Sequence, residues 1–443
     1  MVQECFKVNE NIILVTIDCL RNDYYNTNNN NLPFLNYLES HATYYSNCHA
    51  LADNTLSSVP QLLTSTFLNF IPYKEAQSGE INEMCQIKEP RKPIAQTLKE
   101  NGYNTYGFQT APHLVHSLGY DKGFDSYDYF NPFLNSSIPI IDMLFKYPFT
   151  KGKDLNNHVL KKKFRDPYFL WIHYSDTHDP YIDNFVPLPI SNFLWHHFTR
   201  RPSISQSAKL SWPTVSKKRS NLFKRIYQKK VKYMDECLYN LFIKSGKFNL
   251  EKTNFILTSD HGQLLGEYNQ IGHGYRVIPT PESSNVPLYI RTSGQKKNGK
   301  NNTTCTLLDI APTISDIANV PILKRYDGYS LLDESRLTSE YLVWSNTLDF
   351  QNSKYLLKIV KDNYIFWQDD FNFSSPKIFK FEKGKLDIVE DLELMNKFIA
   401  IAKKHISYIR EKQSKYSMNL ESNGIKNTLD PEVYNALKAL RYV

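Results

Sequence analysis

The stretch Thr253-Asn-Phe-Ile-Leu-Thr-Ser-Asp-His-Gly262 constrains the fold of this chain more than any other. Its apolar centre, Phe255–Leu257, is short, sits among threonines and stops at a polar cluster, which is how a buried parallel strand ends. Asp260 and His261 follow at once, and Gly262 lets the backbone turn away. A carboxylate beside an imidazole at the C-terminal tip of a buried strand suits a divalent cation. Taken alone, the same residues read equally well as an Asp-Gly-like turn with an exposed histidine.

Two further runs have the same form. Asn11-Ile-Ile-Leu-Val-Thr-Ile-Asp18 is β-branched and ends on an acid. It reads as the first central strand, with Asp18 at the sheet edge where open α/β sheets place ligands, or with Asp18 capping the next helix. Tyr168–Tyr174 is another apolar strand and runs into Ser175-Asp-Thr-His-Asp-Pro-Tyr181, so Asp176 and His178 also fall at a strand tip. His173 and Asp176 read either as part of a second site or as strand-end packing and capping. The segment Asp53-Asn-Thr-Leu-Ser-Ser-Val-Pro-Gln-Leu-Leu-Thr-Ser65 is polar and then apolar at helical spacing. It offers hydroxyls at a helix N-terminus, where free N–H groups favour an oxyanion. Ordinary N-capping by the same residues is the plainer reading.

Around these tips the pattern predicts a helix over 33–45, a helix over Lys92–Asn101 and a strand over Thr105–Gln109. It also predicts a basic amphipathic helix over 219–245 packed on the sheet, a strand over Val286–Arg291 and a helix over 306–318. From about 340 the segments Tyr341–Trp344, Tyr355–Val360, Asn363–Trp367 and Lys377–Phe381 alternate like a small antiparallel sheet, closed by a helix over Leu392–Tyr408. The expectation is an α/β domain over 1–335 and a small α+β subdomain over 336–443. The aromatic, basic stretch 182–218 is a candidate lid inserted into the first of these, or a plain surface loop.

Composition narrows the class. The 443 residues are 41% hydrophobic and 14% aromatic, which excludes a disordered chain. A net charge of +8 suits an anionic substrate, but no Lys/Arg block interleaves with aromatics as a nucleic-acid face would require. The six cysteines are scattered without CxxC pairs, which argues against a zinc knuckle or disulfide framework and fits a reducing compartment. The first apolar run, Ile12–Ile17, is too short for a signal or membrane span. The expectation is a cytoplasmic protein with no integral membrane segment.

Taken in order, these pieces resemble the sulfatase-like branch of the alkaline phosphatase superfamily. The resemblance is carried by Val15-Thr-Ile-Asp-Cys-Leu-Arg-Asn-Asp23, Thr55–Thr64, Lys122-Gly-Phe-Asp125, Thr177-His-Asp-Pro-Tyr181 and Thr258-Ser-Asp-His-Gly262. It continues through Gly266-Glu267, Gly272-His-Gly274, Val286-Pro-Leu288, Asp309–Thr313, Asp327-Gly-Tyr-Ser-Leu331 and the tail Leu437–Tyr442. It implies an alkaline-phosphatase-like fold: a central, mostly parallel sheet flanked by helices. It also implies a divalent metal held by Asp18, Asp260, His261 and Thr55. His178 and His273 would contact the anionic group or protonate the leaving oxygen, and Arg21 and Asn54 join them as substrate-binding candidates.

Two departures shape the expected chemistry. Aligned through Leu62-Leu63-Thr64, the cysteine or serine that sulfatases convert to formylglycine falls on Thr55, and the motif arginine falls on Val59. Threonine cannot become formylglycine. It would act directly as a metal-activated alkoxide, as in the similar phosphoethanolamine and phosphoglycerol transferases; Ser57 and Ser58 are rival nucleophiles. Secondly, the paired acids of many sulfatases are Asp18-Cys19 here. An Asp/Asp/His/Thr site suits Mn2+ or Zn2+ better than Ca2+ or Mg2+. The leading expectation is a metal-dependent hydrolase or transferase of phosphate or sulfate esters, phosphorus favoured, on a glycan or nucleotide-linked precursor. The alternative is a catalytically silent relative that binds anionic glycans or scaffolds a partner.

Overall fold

The computed structural model describes residues 10–25, 32–72, 83–130, 151–178, 215–273, 280–295, 298–335, 341–347, 355–368, 375–382 and 385–416. The candidate lid lies almost wholly outside these residues, as do Gly274 and the tail Leu437–Tyr442.

The strands are β1 (Asn11–Ile17), β2 (Thr43–Tyr45), β3 (Cys48–His49), β4 (Asn104–Gln109), β5 (Ser126–Tyr129), β6 (Tyr168–Tyr174) and β7 (Thr253–Ser259). They continue with β8 (Leu264–Leu265), β9 (Ile271–Gly272), β10 (Asn285–Val286), β11 (Leu288–Arg291), β12 (Gly299–Asn301) and β13 (Cys305–Thr306). Eight of them form one sheet in the order β12-β2-β11-β7-β1-β6-β4-β5. From β7 to β5 every pairing is parallel, whereas β11 runs antiparallel to both β7 and β2.

The helices are α1 (Pro33–His41), α2 (Thr55–Thr64), α3 (Ile94–Glu100), α4 (Gly152–Lys161), α5 (Lys217–Tyr239), α6 (Pro281–Ser284) and α7 (Ile310–Ile317). Alternate residues of the central strands feed two cores. Ile12 and Leu14 pack with Trp171 and Ile256 under α2, α3 and α7. Ile13, Val15 and Ile17 pack with Ile172 and Leu257 under α1, α4 and α5. Strands buried on both faces read as continuous apolar runs, which is why β1, β6 and β7 were legible. The N-terminus of α1 is capped from far along the chain. The Asp235 carboxylate on α5 accepts from Phe34 N at 3.0 Å, Leu35 N at 2.9 Å and the Tyr25 hydroxyl at 2.8 Å.

Several expected boundaries move. The predicted helix over 33–45 stops at His41, and Thr43–Tyr45 becomes an edge strand; helical spacing could not foresee its pairing with distant β11. The basic helix begins at Lys217 and ends in a π-helical turn, Asn240–Lys244. The strand expected over 286–291 is two, β10 and β11, in different sheets. The helix over 306–318 opens with a 3-10 turn at Leu307–Asp309.

The C-terminal part is a five-stranded antiparallel sheet: β14 (Leu342–Thr347), β15 (Tyr355–Lys361), β16 (Tyr364–Gln368), β17 (Lys377–Glu382) and β18 (Lys385–Val389). Helix α8 (Leu392–Tyr416) covers it, with Phe398 stacked on Phe366 at 5.7 Å. That core continues into Leu68 and Ile71, just beyond α2. Lys412 on α8 closes the same seam with a buried ion pair to Asp327 at 2.5 Å. No helix among the described residues is long and apolar enough to cross a membrane.

Candidate active site

Strands β7, β1 and β6 lie side by side, and Ile17 is level with both Ser259 and Tyr174. The next residue of each therefore emerges at one edge, which puts Asp18 beside Asp260. The Ser259 hydroxyl donates to Ile17 O at 2.6 Å and ties the two tips together. Gly262 is needed behind them, because a Cβ there would lie 2.2 Å from Glu282 O.

His261 Nδ1 lies 2.8 Å from Gly262 O, which can only accept, so Nδ1 carries the proton. Nε2 thus presents its lone pair, 3.6 Å from Asp18 Oδ1 and 3.6 Å from Asp260 Oδ2. All three side chains are fully buried. Asp260 Oδ1 accepts from His261 N and Cys19 N, whereas Oδ2 is buried and accepts no hydrogen bond among the described residues. Two adjacent carboxylates removed from water need a compensating charge. Converging oxygens and one imidazole lone pair have the donor chemistry of a divalent-metal site. The residues present fit such an ion.

Thr55 is the first residue of α2 and its Oγ1 lies 3.4 Å from His261 Nε2. The helix is fixed by Asn54, whose Oδ1 accepts from Ser57 N at 2.8 Å. The Ser58 hydroxyl donates to Asp260 O at 2.6 Å, so it braces α2 against the strand tip. His273 and His178 stand with ring centres 4.7 Å apart, and His273 is also 4.7 Å from His261. The structure thus brings Asp18, Thr55, His178, Asp260, His261 and His273 together.

Of the remaining sequence candidates, His173 reaches that cluster, and the others stand apart from it or serve it structurally. The Arg21 guanidinium is turned to Asp23 at 2.6 Å and Glu267 at 3.1 Å. Burial opposes its charge, but those two carboxylates outweigh it and raise the pKa. Both Asp176 oxygens accept from Gly152 N at the start of α4, as a cap would. Burial pushes that carboxyl up to about 6. His173 is held through Nδ1 by the Thr16 hydroxyl at 2.8 Å and shares a potential metal-binding group with Asp18 and Asp260. Burial lowers its pKa to about 4, which keeps it neutral.

Sequence reasoning missed two residues. His113 is buried, and its pKa is driven down by burial and then by His178, His173 and His261. Its signal was available, since it follows β4, the neighbour of β6. Lys358 on β15 is buried with Nζ 4.8 Å from the Trp367 ring. Burial lowers its pKa while the attraction of Asp53, two residues before Thr55, opposes that.

A sequence profile of the sulfatases matches residues 10–320. The chain belongs to the sulfatase family. Arylsulfatase K of Danio rerio is 31% identical over 149 residues, 32% of this chain and 28% of that protein. The chain spans less than a third of the length of the first curated relatives it matches, 15% to 28% of each. Among solved structures, phosphonate monoester hydrolase of Agrobacterium radiobacter superposes with a TM-score of 0.65 at 15% identity, covering 91% of this chain and 96% of that one. A 2-O GAG sulfatase gives 0.65 at 14% identity, covering 96% of each chain. The sulfatase domain here has the alkaline-phosphatase-like α/β fold, with an antiparallel sheet and helix at its C-terminal side.

Proposed function

We propose that this sulfatase-family chain is a metal-dependent ester hydrolase or transferase with Thr55 as its nucleophile, and that phosphorus esters are favoured. The observation that carries the reading is the Thr55 hydroxyl at 3.4 Å from His261 Nε2, itself 3.6 Å from two carboxylates. A divalent cation held by Asp18, Asp260, His261 and Thr55 would lower the pKa of that hydroxyl and neutralise charge on the transferring group. Thr55 Oγ1, its proton released to solvent, then forms a bond to phosphorus as the bond to the leaving oxygen breaks. A proton from His178 or His273 goes to that oxygen, and water or an acceptor hydroxyl later releases Thr55. The first N–H groups of α2 favour the anion at this end of the helix.

The phosphorus preference rests on threonine at a position where formylglycine cannot form. Its likeness in fold to a phosphonate monoester hydrolase is consistent with that. A sulfated or phosphorylated sugar is the substrate class we favour, since another neighbour is a GAG sulfatase. A boundary at 335/336 and a reducing, cytoplasmic location belong to the same proposal. Val59 and Cys19, standing where the family pattern has arginine and an acid, favour a second reading, a silent anion-binding relative. Turnover of p-nitrophenyl phosphate, a phosphodiester and p-nitrophenyl sulfate by wild type and Thr55→Ala separates the readings. Phosphorus-ester release lost by at least about 10^4-fold in Thr55→Ala supports the proposal. Sulfate release that survives the substitution overturns the nucleophile, and no turnover with any ester favours the silent relative.

A further inference from the structure

Cys19 follows Asp18 and holds a left-handed backbone, φ 63°, sparsely populated for a residue with a Cβ. Both of its main-chain groups are fixed: its N–H donates to Asp260 Oδ1 at 3.2 Å, and its carbonyl accepts from the Tyr227 hydroxyl at 2.8 Å. The buried thiol is thereby aimed at two imidazoles. Sγ lies 3.4 Å from His273 Nδ1 and 3.8 Å from His261 Nδ1. The second contact cannot be ligation, because Gly262 O holds the proton on His261 Nδ1. His261 stands between two donor sets that share a border, since Cys19 Sγ also lies within 4.8 Å of a ligand atom of both Asp18 and His261. Its Nε2 edge faces Thr55 and the carboxylates, and its Nδ1 edge faces Cys19.

On the Cys19 side stands a second donor set. The sulfur of Cys19 and one ring nitrogen each of His178 and His273 lie within 4.8 Å of one another, all three residues buried. The two rings are inclined at 74°, so their edges do not stack face to face. In a tetrahedral zinc site, bonds of about 2.3 Å to sulfur and 2.1 Å to nitrogen set those atoms about 3.6 Å apart. The 3.4 Å between Cys19 Sγ and His273 Nδ1 is close to that. We propose that Cys19, His178 and His273 form a second, thiolate-containing site for a zinc-class cation beside the Asp18–Asp260–His261 centre. Binding would release the thiol proton to solvent as the sulfur–metal bond forms. Among the described residues the set numbers three protein ligands, the number that catalytic zinc sites use. Sulfur and imidazole together select zinc over calcium or magnesium. The proposal deepens the active-site reading and rests on it only for the claim that this charge faces the substrate; imidazoles that hold the cation would not carry the proton for the leaving oxygen, and the cation's charge would stabilise that oxygen in their place.

The test uses the full chain stripped with a chelator and titrated with Co2+, then Zn2+, without any ester. Two equivalents per chain are expected, one of them bringing a sulfur-to-cobalt charge-transfer band. Cys19→Ser should lose the band and bind that equivalent at least about 100-fold more weakly. Asp260→Asn should keep the band and lose the other equivalent. His273→Asn, on a different segment, repeats the first result should Cys19→Ser fail to fold, with circular dichroism as the folding control. A wild type without the band overturns the proposal, as does unchanged stoichiometry in a folded Cys19→Ser. A wild type that binds a single equivalent, with that same equivalent lost in both Cys19→Ser and Asp260→Asn, also overturns it, because Cys19 would then complete the first centre. An absence of ester turnover with the thiolate band intact would sink the catalytic reading alone.

Discussion

His405 on α8 offers a quantitative test of how the C-terminal helix is held. It is 7% exposed, stands edge-on to Phe67 at 4.8 Å, and its Nε2 accepts from Asn69 Nδ2 at 3.3 Å. Burial pushes its pKa down to about 4. Above pH 6.5 the imidazole is neutral in both folded and unfolded chains, and its full contribution is present. As the pH falls below 6.5 the unfolded chain takes up a proton that the folded chain refuses, and stability drains away until pH 4. The interval between those values corresponds to about 3 kcal/mol. His405→Gln keeps a polar group near Asn69 but cannot titrate in this range. It should therefore be less stable than wild type at pH 8, by about 1 kcal/mol for the lost ring contact. Its disadvantage should shrink steadily as the pH falls and reverse before pH 4. The assay is urea unfolding followed by tryptophan fluorescence from pH 8 to pH 4. Parallel stability curves for the two proteins would refute the reasoning.

Three other outcomes can be checked directly. Asp235→Ala deprives Phe34 N, Leu35 N and the Tyr25 hydroxyl of their acceptor, and should cost about 3–5 kcal/mol in urea unfolding, with Asp235→Asn milder. Lys358→Met removes a cation that faces Asp53 and fills the slot beside Trp367. It should lower kcat/KM about tenfold while leaving metal content and the thermal midpoint unchanged. Stripping metal should reduce unfolding free energy by about 3 kcal/mol relative to protein in about 100-fold excess of ion over Kd, as read by calorimetry. Equal stability with and without chelator would count against metal binding at this edge.

The parts of the fold legible in sequence are those whose identity is local. Tyr168–Tyr174 runs end to end as expected because a strand buried on both faces is apolar throughout. Asp18, Asp260, His261 and His178 were readable because each ends such a run. Thr43–Tyr45 was not, since its strand character comes from pairing with Tyr289 and Ile290. Strand β18 carries only partly buried and exposed residues, so its pattern gave no apolar face to follow. Lys358 sits between Leu357 and Ile359, where alternation reads it as solvent-facing. Its burial is set by Trp344 and Trp367 on neighbouring strands. Cys19 registered only as a missing acid, because the direction of its thiol depends on a backbone angle that residue type does not encode.

The parallel pairing of β1 carries a consequence for how the chain is made. Its two neighbours join it across long stretches of sequence: Thr16 meets His173 at a separation of 157 residues, and Ile17 meets Ser259 at 242. Closing loops of that size is slow, and nothing rewards it until both partners arrive. A chain leaving the ribosome therefore exposes a largely apolar, unpaired β1 until β6 has been made, the kind of segment chaperones bind. Asp18 waits with it. Asp18 and Asp260 converge only when β7 has docked, so this edge of the sheet cannot assemble before both strands are in place.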